Sequence, residues 1–426
     1  MHFEIYRSDY GENSEAMKKI LIIGAGFLQD FVIRKAKQMG YYTLTVDADP
    51  SAIGFLHADK SAVINIVDEE ACQQFAKEEQ IDGVLTAATD YGVLTASYIA
   101  EHMGLPGLNY ESAKLIKNKY LVRKKLFENH VDDTEQAYEV TRETDITALA
   151  QLLTYPVMVK PCDGSGSRGA SRVDHPDELL NACKYAMGDS ITYRAEIESF
   201  INGREYGVES LVVNGEIYIL AVMKKWMTEP PYYAELGHAI PCGLPKRVEE
   251  RTKEIVRKAI VALGINHGSV NMDLLITETG NIHIIDIGAR MGGNLIGSHI
   301  IPYGTGIDYM GNMLKAAVGD EPDWTVSDYT AVVTKLLAFK GGTVKKSLDT
   351  VFEEIKRTMT TANVDYGAAG IAADIETYHH IAVGDIVNEY HTNLDGCGYI
   401  VVRGKTVELT EKVAADVLNK ITESIF

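Results

Sequence analysis

Two aspartates and an arginine stand among apolar residues in the stretch Asn271-Met272-Asp273-Leu274-Leu275-Ile276-Thr277-Glu278-Thr279-Gly280-Asn281-Ile282-His283-Ile284-Ile285-Asp286-Ile287-Gly288-Ala289-Arg290. Two apolar runs flank Thr279-Gly280, so a β-hairpin is expected. With the turn centred on that dipeptide, Asp273 faces Asp286. Like charges directly opposed in an antiparallel pair weaken it, with Cβ atoms about 4.5–5.5 Å apart. A divalent cation between them would remove the repulsion, and an all-oxygen ligand set suits Mg2+ or Mn2+. The alternative is a slipped register that leaves both aspartates solvated at strand ends. Side-chain alternation puts Leu275 on the face of Asp273, where it could floor a flat ring such as adenine. Arg290 lies four residues past Asp286 and could hold a carboxylate or a phosphoryl group.

Two glycine-rich segments offer further chemistry. In Asp163-Gly164-Ser165-Gly166-Ser167-Arg168-Gly169, backbone N–H groups and hydroxyls are available to wrap phosphate oxygens. Lys160 sets a point charge at its mouth. No Gly-Lys-Ser/Thr follows, so this is not a Walker loop, and a flexible hairpin tip is the alternative. The other segment, Gly24-Ala25-Gly26 after a strand, with Asp47 ending the next, is half of a dinucleotide fingerprint. Gln29 replaces the third glycine, which favours a tight turn with no cofactor.

These residues need elements to position them. Lys19–Ile23, Tyr42–Asp47, Ala62–Asn65 and Gly83–Thr86 read as buried parallel strands. Helices over Phe27–Met39, Asp68–Glu79 and Gly92–Met103 alternate with them. A basic helix is expected over Ser112–Asn129, then an acidic linker over Asp132–Asp145. Next come a strand Tyr155–Pro161, a returning strand Ala170–Val173, and a helix His175–Met187 capped by Asp174. From Thr330 onward the texture is short strands, glycine turns (Gly341-Gly342, Gly367, Gly370, Gly396, Gly398) and a final helix from Glu411. The expected division is a tail at 1–16, a Rossmann-like domain at 17–111, an α+β unit at 112–325 in which about 130–195 carries the glycine-rich loop, and a small α+β domain at 326–426. The fold class is therefore α/β followed by α+β.

Bulk properties bound the function. A net charge of −19 disfavours nonspecific binding of nucleic acid, which requires a basic surface. The five cysteines form no CxxC pair, so neither a zinc site nor a disulfide framework is expected. With no apolar run of about 18 residues and no signal-peptide core near the start, a cytoplasmic protein with no membrane partner is expected.

Taken together, these segments resemble the ATP-grasp superfamily in its carboxylate–amine ligase branch, which includes L-amino acid ligases and carbamoyl-phosphate-synthetase-like enzymes. The resemblance covers nearly the whole chain: a Rossmann-like pre-domain, a two-part ATP-grasp clamp and a small C-terminal domain. It implies that Lys119, in Lys117-Asn118-Lys119-Tyr120, contacts nucleotide phosphate. It implies that Met158, Lys160, Gly164, Ser165, Gly166 and Ser167 belong to the lid side of the nucleotide site. Glu198-Ser199-Phe200-Ile201 would be the hinge whose backbone reads adenine, with Glu205 near the ribose and Leu275 under the base. Asp273 and Asp286 match the metal ligands, and Arg290 the arginine at the substrate phosphate. One departure stands out. The family's usual third metal contact, an asparagine two residues after the second acid, is Gly288 here, and Asn294 is the candidate substitute.

The implied activity uses ATP with Mg2+ or Mn2+ to phosphorylate a small-molecule carboxylate, giving an acyl phosphate that an amine converts to an amide, with release of ADP and phosphate. In the segment Lys224–His238, read as the substrate loop, Glu235 would attract the ammonium group and His238 would take its proton, unless His238 is structural. The implied catalytic set is Arg290, Lys160, Glu235 and His238. Rival readings are a carboxylase- or carbamoyl-phosphate-synthetase-like enzyme, a non-catalytic nucleotide-binding protein, and a nicotinamide oxidoreductase resting on Gly24, Gly26 and Asp47 alone. Oligomeric state is open, and the resemblance makes a homodimer one outcome to test.

Overall fold

The structure is a computed structural model, and it describes residues 17–134, 136–164, 166–361 and 374–426. Ser165, Gly367, Gly370 and the tail at 1–16 lie outside the described residues. The N-terminal sheet is parallel, in the order Lys60–Val63, Tyr42–Asp47, Lys19–Ile23, Gly83–Thr86. Ile20 to Ile23 are fully buried because helices cover both faces of this sheet. Its first edge strand starts two residues earlier than the apolar pattern suggests and is largely exposed.

At the first strand–helix turn, Gln29 fills the space that a dinucleotide would need. Its Nε2 donates to the Ala87 carbonyl at 2.6 Å, and its stem lies 3.4 Å from where a Cβ on Gly24 would be. Asp47 accepts from the Ala25 N–H at 2.8 Å. The glycine turn thus closes on the protein's own groups.

A central antiparallel sheet of eight strands follows. Its order is Ile282–Gly288, Gly268–Ile276, Arg204–Val213, Glu216–Met227, Glu235–Ile240, Ala331–Leu336, Gly398–Gly404 and Asp374–His379. The sheet runs across position 325 without a break, although the described residues from 331 onward pack mainly around their own apolar core with the helices Leu348–Thr361 and Val407–Ile425. A smaller antiparallel sheet, Ala137–Val140, Ala195–Ser199, Val157–Pro161 and Ser171–Val173, lies against helix Leu179–Gly188 and forms the lid.

Several local expectations give way here. The basic helix is two helices, Tyr110–Ile116 and Lys119–Glu128, because the Asn118 side chain accepts from the Leu121 N–H and starts a new helix. Lys119 is therefore the first residue of a helix. The acidic linker contains the lid strand Ala137–Val140, whose own pattern is weak but whose partner strand Ala195–Ser199 is well buried. Asp174 does not cap the lid helix. It pairs with Arg172 at 2.6 Å, and His175 with Glu178 opens a short 3-10 turn instead. Gly341-Gly342 lies within the strand Lys340–Thr343, and the last helix begins at Val407 because Thr406 caps it.

Three parts of the clamp meet at Arg123. This guanidinium is only 4% exposed and reaches Glu198 on a lid strand at 2.7 Å and Asp132 at 2.9 Å. Asp132 also accepts from the Ile284 N–H of the hairpin at 3.2 Å. Removing one partner of a buried charge network strands the others. Arg123→Met is therefore expected to destabilise the protein by about 3–5 kcal/mol, read as a lower urea midpoint at unchanged slope.

Candidate functional site

The hairpin register places Asp273 opposite Asp286, by a different route from the one expected. The loop has three residues, closed by Thr277 N–H to the Asn281 carbonyl at 2.9 Å, with Gly280 in the left-handed region at φ 82°. That turn alone would slip the aspartates past one another. A β-bulge between Asp273 and Leu274, with Ile285 as the extra residue opposite, restores the pairing.

Within this structure the two carboxylates are relieved by lysines. Asp286 pairs with Lys119. Asp273 takes Lys225 at 2.8 Å. Lys225 is 1% exposed and also contacts Glu205 and Glu235, each at 2.7 Å. Gly207, which pairs with Asp273, carries no side chain to block it; a Cβ there would lie 3.6 Å from the Lys225 stem. Burial works against the Lys225 ammonium, but the three acids raise its pKa well above the ordinary value. Three carboxylates on one ammonium leave negative charge in excess. Burial, together with Glu205 and Glu235, accordingly pushes the Asp273 carboxyl up to about 7 against the pull of Lys225. At Asp286 burial is outweighed by Lys119 and Lys160, and its carboxyl falls to about 2.

Lys119, Met158, Lys160, Gly164, Gly166, Ser167, Glu198, Ser199, Phe200, Ile201, Glu205, Glu235, His238, Asp273, Leu275, Asp286 and Arg290 all line one cavity of about 740 Å³ between the lid and the central sheet. Lys160 bridges Glu198 at 2.6 Å and the Ile285 carbonyl at 2.9 Å, tying the lid to the hairpin bulge. The loop after it leans on the segment beyond the long central strand: the Ser167 hydroxyl donates to the Tyr233 carbonyl at 2.9 Å. Most of the segment read as a substrate loop is strand, since Lys224 to Met227 and Glu235 to His238 pair with each other. Cross-strand pairing sets Lys225 beside His238, and a β-bulge at Leu236 turns Glu235 toward the same cavity, where regular alternation would have pointed it away. Glu235 holds Lys225 with one oxygen and is met by Asn294 and Asn393 at the other. Burial lowers the His238 imidazole to about 4, so it is neutral at pH 7.

Asn294, the candidate substitute for the third ligand, lines the same cavity. Its side chain donates to Glu235 and accepts from Tyr399 at 2.9 Å. The residue facing Gly288 is Asn271, which donates to buried Glu209 at 2.9 Å. Sequence reasoning missed Lys225, Asp90, Tyr91 and Tyr399, which also line the cavity. For Lys225, the alternating pattern of the strand was the available signal. For Asp90 and Tyr399 none existed, because they come from opposite ends of the chain.

Residues 153–298 match the family model described as ATP-grasp domain. An L-arginine-specific L-amino acid ligase of Bacillus subtilis is 23% identical, over 62% of this chain and 64% of that protein. The chain spans 40% to 66% of the length of the first curated relatives it matches. Among solved structures, an L-amino acid ligase from Bacillus licheniformis superposes with a TM-score of 0.78 at 22% identity, over 95% of this chain and 97% of that one. A biotin carboxylase domain dimer from Hydrogenobacter thermophilus, in complex with MgADP, ADP and bicarbonate, superposes with a TM-score of 0.73 at 17% identity, over 96% and 90% of the two chains.

Behind the cavity, Glu209 accepts from the Tyr309 hydroxyl at 2.5 Å and the Gly292 N–H at 3.0 Å. Burial pushes its carboxyl from 4.5 up to about 7 against those hydrogen bonds. The folded protein then keeps a proton that the unfolded chain has lost. This contribution is full below pH 4.5 and is lost as pH rises through about 7. Glu209→Gln should remove that decline, gaining on the order of 3 kcal/mol relative to wild type across the window. Urea unfolding of both proteins at stepped pH measures it.

Proposed function

We propose that the chain is an ATP-dependent ligase that joins a small-molecule carboxylate to an amine through an acyl phosphate, releasing ADP and phosphate. The observation that carries this reading is the convergence of Asp273, Asp286, Lys119, Lys160 and Arg290 on one cavity. Two opposed carboxylates with excess negative charge around Lys225 fit a divalent cation such as Mg2+ or Mn2+, held by Asp273 and Asp286. When bound, such an ion would draw charge from the β- and γ-phosphate oxygens.

The protein's own groups do the rest. The hinge Glu198–Ile201 and Leu275 take the adenine, and Glu205 lies toward the ribose. As phosphates enter, Lys119 exchanges its contact with Asp286 for a phosphate oxygen, which frees that carboxylate. Lys160 and the N–H groups of the Gly164–Ser167 loop bind the phosphates and offset charge as it develops. Arg290 holds the carboxylate in line with the γ-phosphorus, and attack forms the acyl phosphate while ADP leaves. The lid excludes water, which would hydrolyse that intermediate. The amine then attacks the acyl carbon, phosphate departs, and neutral His238, with Glu235 beside it to stabilise the imidazolium, receives the amine proton.

The test is ADP release against pools of carboxylic acids and amines. Full turnover should require both substrates, and hydroxylamine with the acid alone should give a hydroxamate. Asp286→Ala should lower the rate by about 100-fold or more. Turnover unchanged in Asp286→Ala, or ADP released equally without any acid, would sink the proposal.

A further inference from the structure

The glycine at 288 and an aspartate from the first domain share one purpose, resting on the reading of Arg290 above. We infer that Asp90 is the residue that positions Arg290 for the substrate carboxylate, and that Gly288 exists to let it do so. The chain approaches Arg290 from both sides under constraint. Met291 forms a parallel bridge with Ala87, and its carbonyl accepts from the Ala88 N–H at 3.0 Å. This backbone staple joins the end of the hairpin to the loop after strand Gly83–Thr86. Ala88 adopts φ 56°, a left-handed conformation that alanine rarely takes, and the following residues turn into the cavity.

Asp90 then accepts from Arg290 Nη2 at 3.0 Å. The two side chains are 21% and 16% exposed, so the pair is mostly shielded from water and from salt. Burial works against the guanidinium's charge, but Asp90 more than restores it and raises the pKa of Arg290. Among the described residues, Arg290 Nε and Nη1 are buried without a hydrogen-bond partner. An unsatisfied charged donor is costly, so a guanidinium left with two such donors is set for an acceptor that arrives with the substrate. A carboxylate or phosphoryl oxygen is the acceptor that the geometry suits.

Gly288 supplies the room. A Cβ there would lie 2.9 Å from Arg290 Cζ and 2.9 Å from Asp90 Oδ1, closer than real Cβ contacts come. Gly288 has an ordinary backbone conformation, with no positive φ to require glycine, so the missing side chain is a matter of space. An asparagine at this position, as the superfamily resemblance leads one to expect, could not coexist with the Asp90–Arg290 pair as it stands. The absent third ligand is thus exchanged for a fixed arginine, held by a domain outside the clamp.

Asp90→Asn keeps the shape and removes the charge. It should lower kcat/KM for the carboxylate by about 10- to 100-fold, since small misplacement of a positioning group has effects of that order. The KM for ATP should stay within about two-fold and the melting temperature should not move. Asp90→Glu should recover part of the loss, and Gly288→Ala should reproduce the selective loss by pushing the pair apart. A second readout needs no turnover: the Arg290 Nε–H resonance, assigned by its absence in Arg290→Lys, should shift and exchange faster in Asp90→Asn. Were wild type to form no ADP with any acid and amine, the proposed reaction would fail while this readout still decided the role of Asp90. An unchanged resonance, a carboxylate kcat/KM within two-fold of wild type, or equal losses toward ATP and carboxylate would overturn the inference.

Discussion

Everything at this site follows from two carboxylates facing each other across an antiparallel pair. Asp273 and Asp286 repel where strand geometry holds them close, and the surrounding structure is organised to make that tolerable. Lys119 comes from a helix start, Lys225 from the middle of the central sheet, and Lys160 from the lid. Each lysine anchors a different element to the hairpin. The result is a cavity in which lysines and carboxylates are interleaved, with acids in excess around Lys225. In the proposed reaction the lysines would take the phosphates and the acids a divalent cation.

The same charges also connect the layers mechanically. Lys160 carries Glu198 and the Ile285 carbonyl, so the lid sheet and the hairpin bulge are bound through one ammonium. Arg123 does the same from beneath, through Glu198 and Asp132. Beyond them, Tyr399 and Asn294 pass contacts from the C-terminal strands to Glu235, and Glu235 passes them to Lys225. A ligand that takes Lys119 or Lys160 away from its carboxylate therefore loosens and remakes contacts between elements. In the proposed reaction, closure of the lid and binding of phosphate would be coupled through the same groups.

The N-terminal sheet plays a part that its glycine turn does not advertise. Gln29 and Asp47 close the turn where a dinucleotide would sit in other proteins of this shape. Its contribution to the cavity comes instead from the far end of the last strand, through the Ala87–Met291 bridge and Asp90. Gly83 shows how closely this layer sits on the rest: a Cβ there would lie 2.4 Å from the Ala317 carbonyl oxygen.

What the sequence by itself determined was local and periodic. Parallel strands appear as continuous apolar runs, the hairpin as two runs around a turn, and the lid loop as glycine and serine after Lys160; each pattern reports burial or conformational freedom along a few consecutive residues. Even there, the aspartate pairing was reached with a two-residue turn and no bulge, two errors that cancel, because register beyond a turn is set by packing rather than by turn residues. Lys225 was hidden because nothing local separates it from its neighbour Lys224, and the three acids that surround it come from other strands. Asp90 and Arg290 stand 200 residues apart. No spacing rule links them, and only the fold, by stapling Ala88 to Met291, could make Gly288 the space between them.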